Sequence, residues 1–191
     1  MKKIILVLAI LFAAVSVYAA GEGQGTVTWP STTVNPAQSG VDFSITFVAG
    51  VQTFNNGYIY VSKPAGWGGT WQSTNSSGAN YVSYGQNSGA TGTSLTAKGD
   101  YIAIYAQKLN GLSGTIWIYF KNMDAAGTSG TAYFNVRSDP DGGNNAALTA
   151  SQPFITIAGA VRTSTVTPTV TQTITPTATK TITRTITETV T

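Results

Sequence analysis

The sequence contains no cysteine and no histidine among its 191 residues. Without these residues the chain can form neither a disulfide nor a zinc site of the usual ligand types. It also lacks the Ser/His/Asp and Cys/His systems that activate a nucleophile. We therefore do not expect an enzyme, and the stability of the fold has to come from a hydrophobic core.

Charged residues are scarce as well, at 9% of the chain, and they are scattered along it. No basic stripe is present that could neutralise a phosphate backbone, so a nucleic-acid partner is not expected. The formal net charge is +3, of which Lys2 and Lys3 contribute two units. The sequence pI of about 9.2 is therefore raised by the N-terminal segment.

That N-terminal segment has the organisation of a secretory signal peptide. Lys2 and Lys3 precede an apolar run over residues 4–15, which is too short to span a bilayer with flanking residues to spare. Val17 and Ala19 then supply the small residues of a cleavage site, so we expect cleavage after Ala19. The protein is predicted to be secreted or held at the cell surface, with no membrane span after cleavage. An uncleaved N-terminal anchor is the alternative.

From Thr26 onward, apolar and polar residues alternate in short runs separated by turn residues, and no window has helical periodicity. The runs lie at residues 26–29, 41–47, 58–61, 101–105, 115–120, 132–137 and 154–158, with weaker ones at 81–84 and 93–97. Seven to nine short strands of this kind predict an all-β fold. An antiparallel two-sheet sandwich is expected, because each half-apolar sheet must cover its face with another. A closed barrel is the structural alternative.

The composition changes abruptly after Ala160. Threonine occupies every odd-numbered position from Thr163 to Thr191, interleaved with prolines and with small or β-branched apolar residues. Because such a segment cannot build a core of its own, we expect a disordered or extended Thr/Pro-rich linker or stalk. The predicted organisation is a signal peptide at 1–19, a β-sandwich domain at 20–160 and the linker at 161–191.

One segment of the domain resembles a known type of module. Residues 56–63 form a predicted strand, and Pro64-Ala65-Gly66-Trp67 follows it directly. This element resembles immunoglobulin-like β-sandwich repeat modules strung along large bacterial surface and extracellular proteins, whose linkers the Thr/Pro-rich tail also resembles. The resemblance covers residues 25–191. It implies an immunoglobulin-like sandwich with an adhesive, surface-layer or fibre role and no catalytic residues.

The aromatic residues of the central strands alternate with isoleucine and valine. Since successive side chains of a strand point to opposite faces, burial of Ile59, Val61, Ile102, Ile104, Ile116 and Ile118 would direct the aromatic residues outward. The predicted outward aromatic face consists of Tyr58, Tyr60, Tyr101, Tyr105, Trp117 and Tyr119. Such rings could stack on sugars. Loops or a neighbouring module could instead cover the face, or the aromatic residues could reflect strand propensity alone.

Two tryptophans lie in the glycine-rich segment at residues 64–71. Exposed tryptophans in loops often contact ligands. We expect Trp67, which belongs to the family-like element, to plug one end of the sandwich. Trp71 is the candidate ligand contact of this loop.

The segment at residues 139–145 offers two carboxylates and two amides, all oxygen ligands of the kind that calcium binds. The candidate metal ligands are Asp139, Asp141 and Asn144. Their spacing does not match a complete EF-hand loop, and the same residues suit a hairpin turn, which is the preferred interpretation. No other cofactor is expected.

The sequence thus predicts a secreted or cell-surface structural or adhesive module that acts through non-catalytic surface contacts. A carbohydrate-binding module using the outward aromatic face is the alternative. The expected partner is a cell-surface or extracellular polysaccharide, a neighbouring module or a second copy of the chain.

Overall fold

A computed structural model describes residues 22–159 and the backbone of residues 165–174 and 180–189. The predicted signal peptide lies outside these residues. The chain divides into two compact units, one ending at Gly159 and the other covering Ala160–Thr191. Within the described ranges, no helix is long and apolar enough to cross a membrane.

Short β-strands account for the regular structure of residues 22–159. They are β1 (Thr26–Thr28), β2 (Thr33–Val34), β3 (Val41–Val48), β4 (Phe54–Ser62), β5 (Tyr81–Gln86), β6 (Ala90–Ala97), β7 (Tyr101–Leu109), β8 (Thr115–Met123), β9 (Gly130–Tyr133), β10 (Asn135–Asp139), β11 (Ala147–Leu148) and β12 (Phe154–Ile157). All nine predicted runs contain a strand. The two-residue strands β2 and β11 were not predicted, because two residues are too few for a period to be visible.

The run predicted at residues 132–137 is divided at Phe134 into β9 and β10, which belong to different sheets. The backbone N–H of Phe134 donates to the carbonyl of Pro153 at 2.8 Å. This bond satisfies the amide while the chain crosses from one sheet to the next. The aromatic ring itself is buried.

Two larger sheets and one small sheet form the domain. The four-stranded sheet has the order β1-β3-β8-β5, and the five-stranded sheet has the order β11-β10-β4-β7-β6. A three-stranded sheet has the order β2-β12-β9. Neighbouring strands are antiparallel except β2 and β12, which are parallel. The prediction of an all-β sandwich is confirmed.

The core lies between the two larger sheets and draws on the inward face of each. The six aliphatic residues predicted to point inward are all fully buried: Ile59, Val61, Ile102, Ile104, Ile116 and Ile118. The rings of Phe47 in β3 and Phe54 in β4 meet edge to face with centroids 5.9 Å apart, which joins the two sheets directly. Each large apolar side chain buried in this way stabilises the fold by about 1.5–3 kcal/mol.

Trp67 closes one end of this core. It is 5% exposed, and its ring packs edge to face on Phe43 at 5.9 Å and on Phe134 at 5.3 Å. The prediction that Trp67 plugs an end of the sandwich is confirmed.

Two paired strands are described in the second unit. Strands β13 (Thr165–Ile174) and β14 (Lys180–Thr189) pair antiparallel, and threonine faces threonine from Thr165↔Thr189 to Thr173↔Thr181. Threonine and β-branched apolar residues favour extended pairing. Both strands of a hairpin are edges, so Pro168 can stand in β13 without breaking a central ladder.

Candidate functional site

Four tyrosines form a connected patch on the outer side of the five-stranded sheet. We call it the tyrosine face; it consists of Tyr58 and Tyr60 in β4 and of Tyr101 and Tyr105 in β7. Tyr58 and Tyr105 are cross-strand partners. Their ring centroids are 5.3 Å apart, those of Tyr58 and Tyr60 are 5.7 Å apart, and those of Tyr60 and Tyr101 are 6.4 Å apart. The rings point outward because the aliphatic residues between them fill the core.

Most hydroxyl groups of this face form no hydrogen bond within the described residues. Tyr105 donates its O–H to the side-chain oxygen of Asn56 at 2.6 Å. Within residues 22–159, the hydroxyls of Tyr58, Tyr60 and Tyr101 have no hydrogen-bond partner. Burial raises the pKa of Tyr60, and so do Asp139 and the neighbouring tyrosines, so its hydroxyl remains a donor at neutral pH. The face therefore combines ring surface with free donors and acceptors.

Trp117 and Tyr119 do not belong to this face, and the prediction of a single aromatic surface is wrong in that respect. Both lie in β8, which pairs with β3 and β5 in the four-stranded sheet and not with β7. They point outward, as the alternation predicted, but on the other sheet. Alternation predicts which side chains of a strand point inward and which point outward. It does not predict that the chain crosses to the other sheet after β7, because no local pattern indicates the crossing.

The rings of Trp117 and Tyr119 lie over Gly85 of the edge strand β5. A Cβ atom on Gly85 would lie 3.5 Å from ring atoms of both residues. Aromatic rings that cover a glycine in a neighbouring strand replace the packing that the glycine cannot provide. This pair therefore has a structural explanation that the tyrosine face lacks.

The prediction that Trp71 contacts a ligand is also wrong. Its side chain is only 1% exposed, and its ring packs on Phe120 at 5.1 Å and parallel to Phe134 at 6.3 Å. The loop folds over the sandwich end because the backbone N–H of Trp71 donates to the carbonyl of Gly99 at 2.9 Å. This contact spans 28 residues and has no local signature in the sequence.

A pocket of about 320 Å³ lies at the Tyr60 end of the tyrosine face. It is lined by Tyr60, Ser62, Tyr101, Arg137, Asn144 and Ala146. We call it the Arg137 pocket. No sequence pattern grouped Ser62 or Arg137 with the tyrosines. Arg137 lies beside Tyr60 because the register of β10 on β4 pairs the two residues. The one signal in the sequence was the outward position of Arg137 in an alternating strand.

The segment at residues 139–145 begins at the end of β10 and connects to β11, as the hairpin interpretation predicted. Asp139 is fully buried and its carboxylate accepts the backbone N–H groups of Gly143 at 3.1 Å and Asn144 at 3.0 Å. These bonds close the turn. Asn144 contributes its backbone to Asp139 and lines the Arg137 pocket.

The candidate metal ligands Asp139 and Asp141 come together with Glu22, which sequence reasoning missed because it lies more than 100 residues away. Carboxylate oxygens of the three residues lie within 4.8 Å of one another. Desolvation raises the pKa of Glu22, and the charges of Asp139 and Asp141 raise it further. The cluster is therefore a site of electrostatic repulsion in the folded protein.

No family model matches the chain, and no curated protein matches it significantly. Among solved structures, the chain is similar to a non-cellulosomal cohesin from the hyperthermophilic archaeon Archaeoglobus fulgidus. The identity is 13%, the match covers 72% of this chain and 94% of the cohesin, and the TM-score is 0.39. It is also similar to the bacterial hydrophobin BslA, at 13% identity over 70% of this chain and 89% of BslA, with a TM-score of 0.40. These similarities are too distant to assign a family or a function.

Proposed function

We propose that the protein is a secreted or cell-surface structural or adhesive module that acts through non-catalytic contacts of its tyrosine face. The main support is the geometry of that face: four rings in mutual contact, three of them with free hydroxyls, on the outer side of a rigid sheet. Tyrosine is enriched in recognition surfaces, because a rigid amphipathic ring gives contact area at low entropic cost. The predicted signal peptide and the resemblance to modules of bacterial surface proteins are consistent with this role.

A carbohydrate-binding module is the second candidate, and the Arg137 pocket is the observation that favours it. Sugar rings stack on aromatic faces, and their hydroxyl groups need hydrogen-bonding partners nearby. The pocket adds an arginine, an amide and a hydroxyl to the end of the tyrosine face. A surface that packs only against a neighbouring protein module would not require these groups together.

The test compares two matched double variants of the full chain. Tyr60→Ala/Tyr101→Ala removes two rings from the tyrosine face, and Trp117→Ala/Tyr119→Ala removes two rings from the other sheet. Each protein is mixed with cellulose, chitin and polygalacturonate, and its oligomeric state is measured by analytical ultracentrifugation. Circular dichroism establishes that both variants are folded.

We expect the tyrosine-face variant to lose about five- to 150-fold in binding, since each of the two lost aromatic contacts costs about 0.5–1.5 kcal/mol. The control variant should bind as the unmodified protein does. Loss of polysaccharide binding favours the carbohydrate-binding module, and loss of self-association favours the structural module. Equal effects of both variants, or no effect of either, would show that the tyrosine face is not the contact surface.

A further inference from the structure

Arg137 lies beside the tyrosine face, and its charge has no partner among the described residues. It is the one arginine within residues 22–159 of the sequence. Its strand neighbours Val136 and Ser138 are fully buried, so Arg137 points outward on the side of its cross-strand partner Tyr60. Among the described residues, the guanidinium group of Arg137 forms neither an ion pair nor a hydrogen bond. Nothing in this part of the fold therefore explains its charge.

Lys63, a cation in the same region, has a structural role. Its ammonium group lies 2.9 Å from a carboxylate oxygen of Asp100 and donates a hydrogen bond to the carbonyl of Gly69 at 2.7 Å. The Lys63 charge thus fixes a loop to the strand end. Arg137 has no such partners, although its planar group offers five N–H donors.

The other polar groups of the Arg137 pocket are free as well. Within residues 22–159, the Ser62 hydroxyl, the side-chain amide of Asn144 and the hydroxyls of Tyr60 and Tyr101 make no hydrogen bonds. The two tyrosine rings form adjoining walls, tilted by 53°. A volume of about 320 Å³ is at the lower end of the range for ligand pockets, so the pocket suits one small ring better than a long segment.

We propose that the Arg137 pocket binds a carboxylate-bearing sugar unit of an acidic polysaccharide, with Arg137 as the residue that selects the carboxylate. The inference rests on the proposed function of the tyrosine face and names the ligand class of that surface. A guanidinium group matches a carboxylate with two parallel N–H···O bonds, which a neutral hydroxymethyl group cannot accept in the same way. Tyr60 and Tyr101 contact the ring, and Ser62 and Asn144 bond its hydroxyl groups.

The acidic cluster borders the tyrosine face, and we expect it to set the direction of the ligand. Asp139 is the cross-strand partner of Tyr58, and its charge also raises the pKa of Tyr60. Its buried carboxylate already accepts two backbone N–H groups, one of them from Asn144 of the pocket. Like charges repel, so the sugar carboxylate is held at the Arg137 end and the neutral edge of the ring lies toward Tyr58.

The test uses pairs of polymers that differ mainly in charge. Binding of the full chain to polygalacturonate, alginate and hyaluronan is measured by affinity electrophoresis, in parallel with their methyl-esterified forms. Esterification removes the carboxylate charge and keeps the sugar backbone. The variants are Arg137→Gln, Arg137→Lys and, as a control for net charge, Lys121→Gln on the four-stranded sheet.

We expect at least one acidic polymer to bind at least about tenfold more tightly than its ester, because a hydrogen bond to a charged group is stronger than one to a neutral group. Arg137→Gln should abolish the preference without weakening binding to the ester. Arg137→Lys should retain part of it, since the charge remains and the two-pronged geometry is lost. Lys121→Gln should leave it unchanged.

Two results would overturn the inference: no preference for any acidic polymer over its ester, or a preference that survives in Arg137→Gln. The proposed function fails separately. If one of these two results is obtained and Tyr60→Ala/Tyr101→Ala still reduces binding to both the charged and the esterified polymers, the tyrosine face remains the contact surface and only the ligand class is wrong. If that variant changes neither polymer binding nor self-association, the proposed function and the proposed ligand class are both wrong.

Discussion

The two outer faces of the sandwich both present aromatic side chains from alternating strands, but the rings contact different groups on each face. On the four-stranded sheet, Trp117 and Tyr119 lie over Gly85 of a neighbouring strand. On the five-stranded sheet, the tyrosines lie against one another and border a pocket with free polar groups. An outward aromatic residue is thus not by itself evidence of a binding surface. What lies beneath and beside its ring decides between a structural and a functional interpretation.

The largest expected difference between the two sheets is in the free energy of unfolding that each loses when one of its glycines is replaced by alanine. A Cβ atom on Gly57, the buried β4 residue that precedes Tyr58, would lie 2.5 Å from the carbonyl oxygen of Asp139 and 2.7 Å from that of Pro140. Gly57→Ala must therefore push β10 away from β4, and we expect a loss of about 1–3 kcal/mol in the free energy of unfolding. Gly85→Ala meets only ring atoms at 3.5 Å and should change it by no more than about 0.5 kcal/mol.

Urea denaturation of the two variants measures both values. A loss in Gly85→Ala as large as in Gly57→Ala would mean that the rings on the four-stranded sheet are as tightly constrained as the backbone of β10. The structural distinction between the two faces would then disappear.

The sequence predicted the inward and outward sides of the strands but not which strands share a sheet. Ile118 and Trp117 were correctly assigned to opposite sides of β8, because the period of two is a local property. The partner of β8 depends on the path of the chain after β7, and that path is fixed by the whole core. The predicted face was therefore correct for the tyrosines of β4 and β7 and wrong for Trp117 and Tyr119 of β8.

The same limit applies to the loops and to the Arg137 pocket. Trp71 has glycines for neighbours in the sequence, which is typical of an exposed loop, yet its ring completes the core against Phe120 and Phe134. Arg137, Tyr60 and Asn144 meet only because β10 pairs with β4 in one register and the following turn folds back. Contacts between residues so far apart in the chain leave no pattern within a single segment.

A smaller effect should separate the aromatic residues themselves. Trp117 is half-buried over Gly85, so Trp117→Ala exposes strand surface, and we expect a loss of about 1–2 kcal/mol in stability. Tyr101 is 39% exposed, and Tyr60 is its aromatic neighbour, so Tyr101→Ala should cost less than about 1 kcal/mol. Thermal denaturation gives this order. The reverse order would assign the structural role to the tyrosine face and would weaken its interpretation as a binding surface.

The smallest effect concerns single carboxylates near each sheet. Because the pKa of Glu22 is raised in the folded protein, the stability linked to this group is fully present below its ordinary pKa of 4.5 and is lost as the pH rises through the folded value. At pH 7, the ionised Glu22 repels Asp139 and Asp141, and Glu22→Gln should be slightly more stable than the unmodified protein. The gain should stay below about 1 kcal/mol, since solvent screens the group.

The matched control is Asp42→Asn at the four-stranded sheet. The Asp42 carboxylate accepts the backbone N–H of Asn122 at 2.8 Å, so neutralising it weakens a charge-assisted bond and should slightly destabilise the protein at pH 7. Urea midpoints at pH 7 and pH 3.5 should show the gain of Glu22→Gln only at the higher pH, where Glu22 is ionised. A loss of stability in Glu22→Gln at pH 7 would mean that the Glu22 charge is compensated, and the acidic cluster would then hold the turn together instead of straining it.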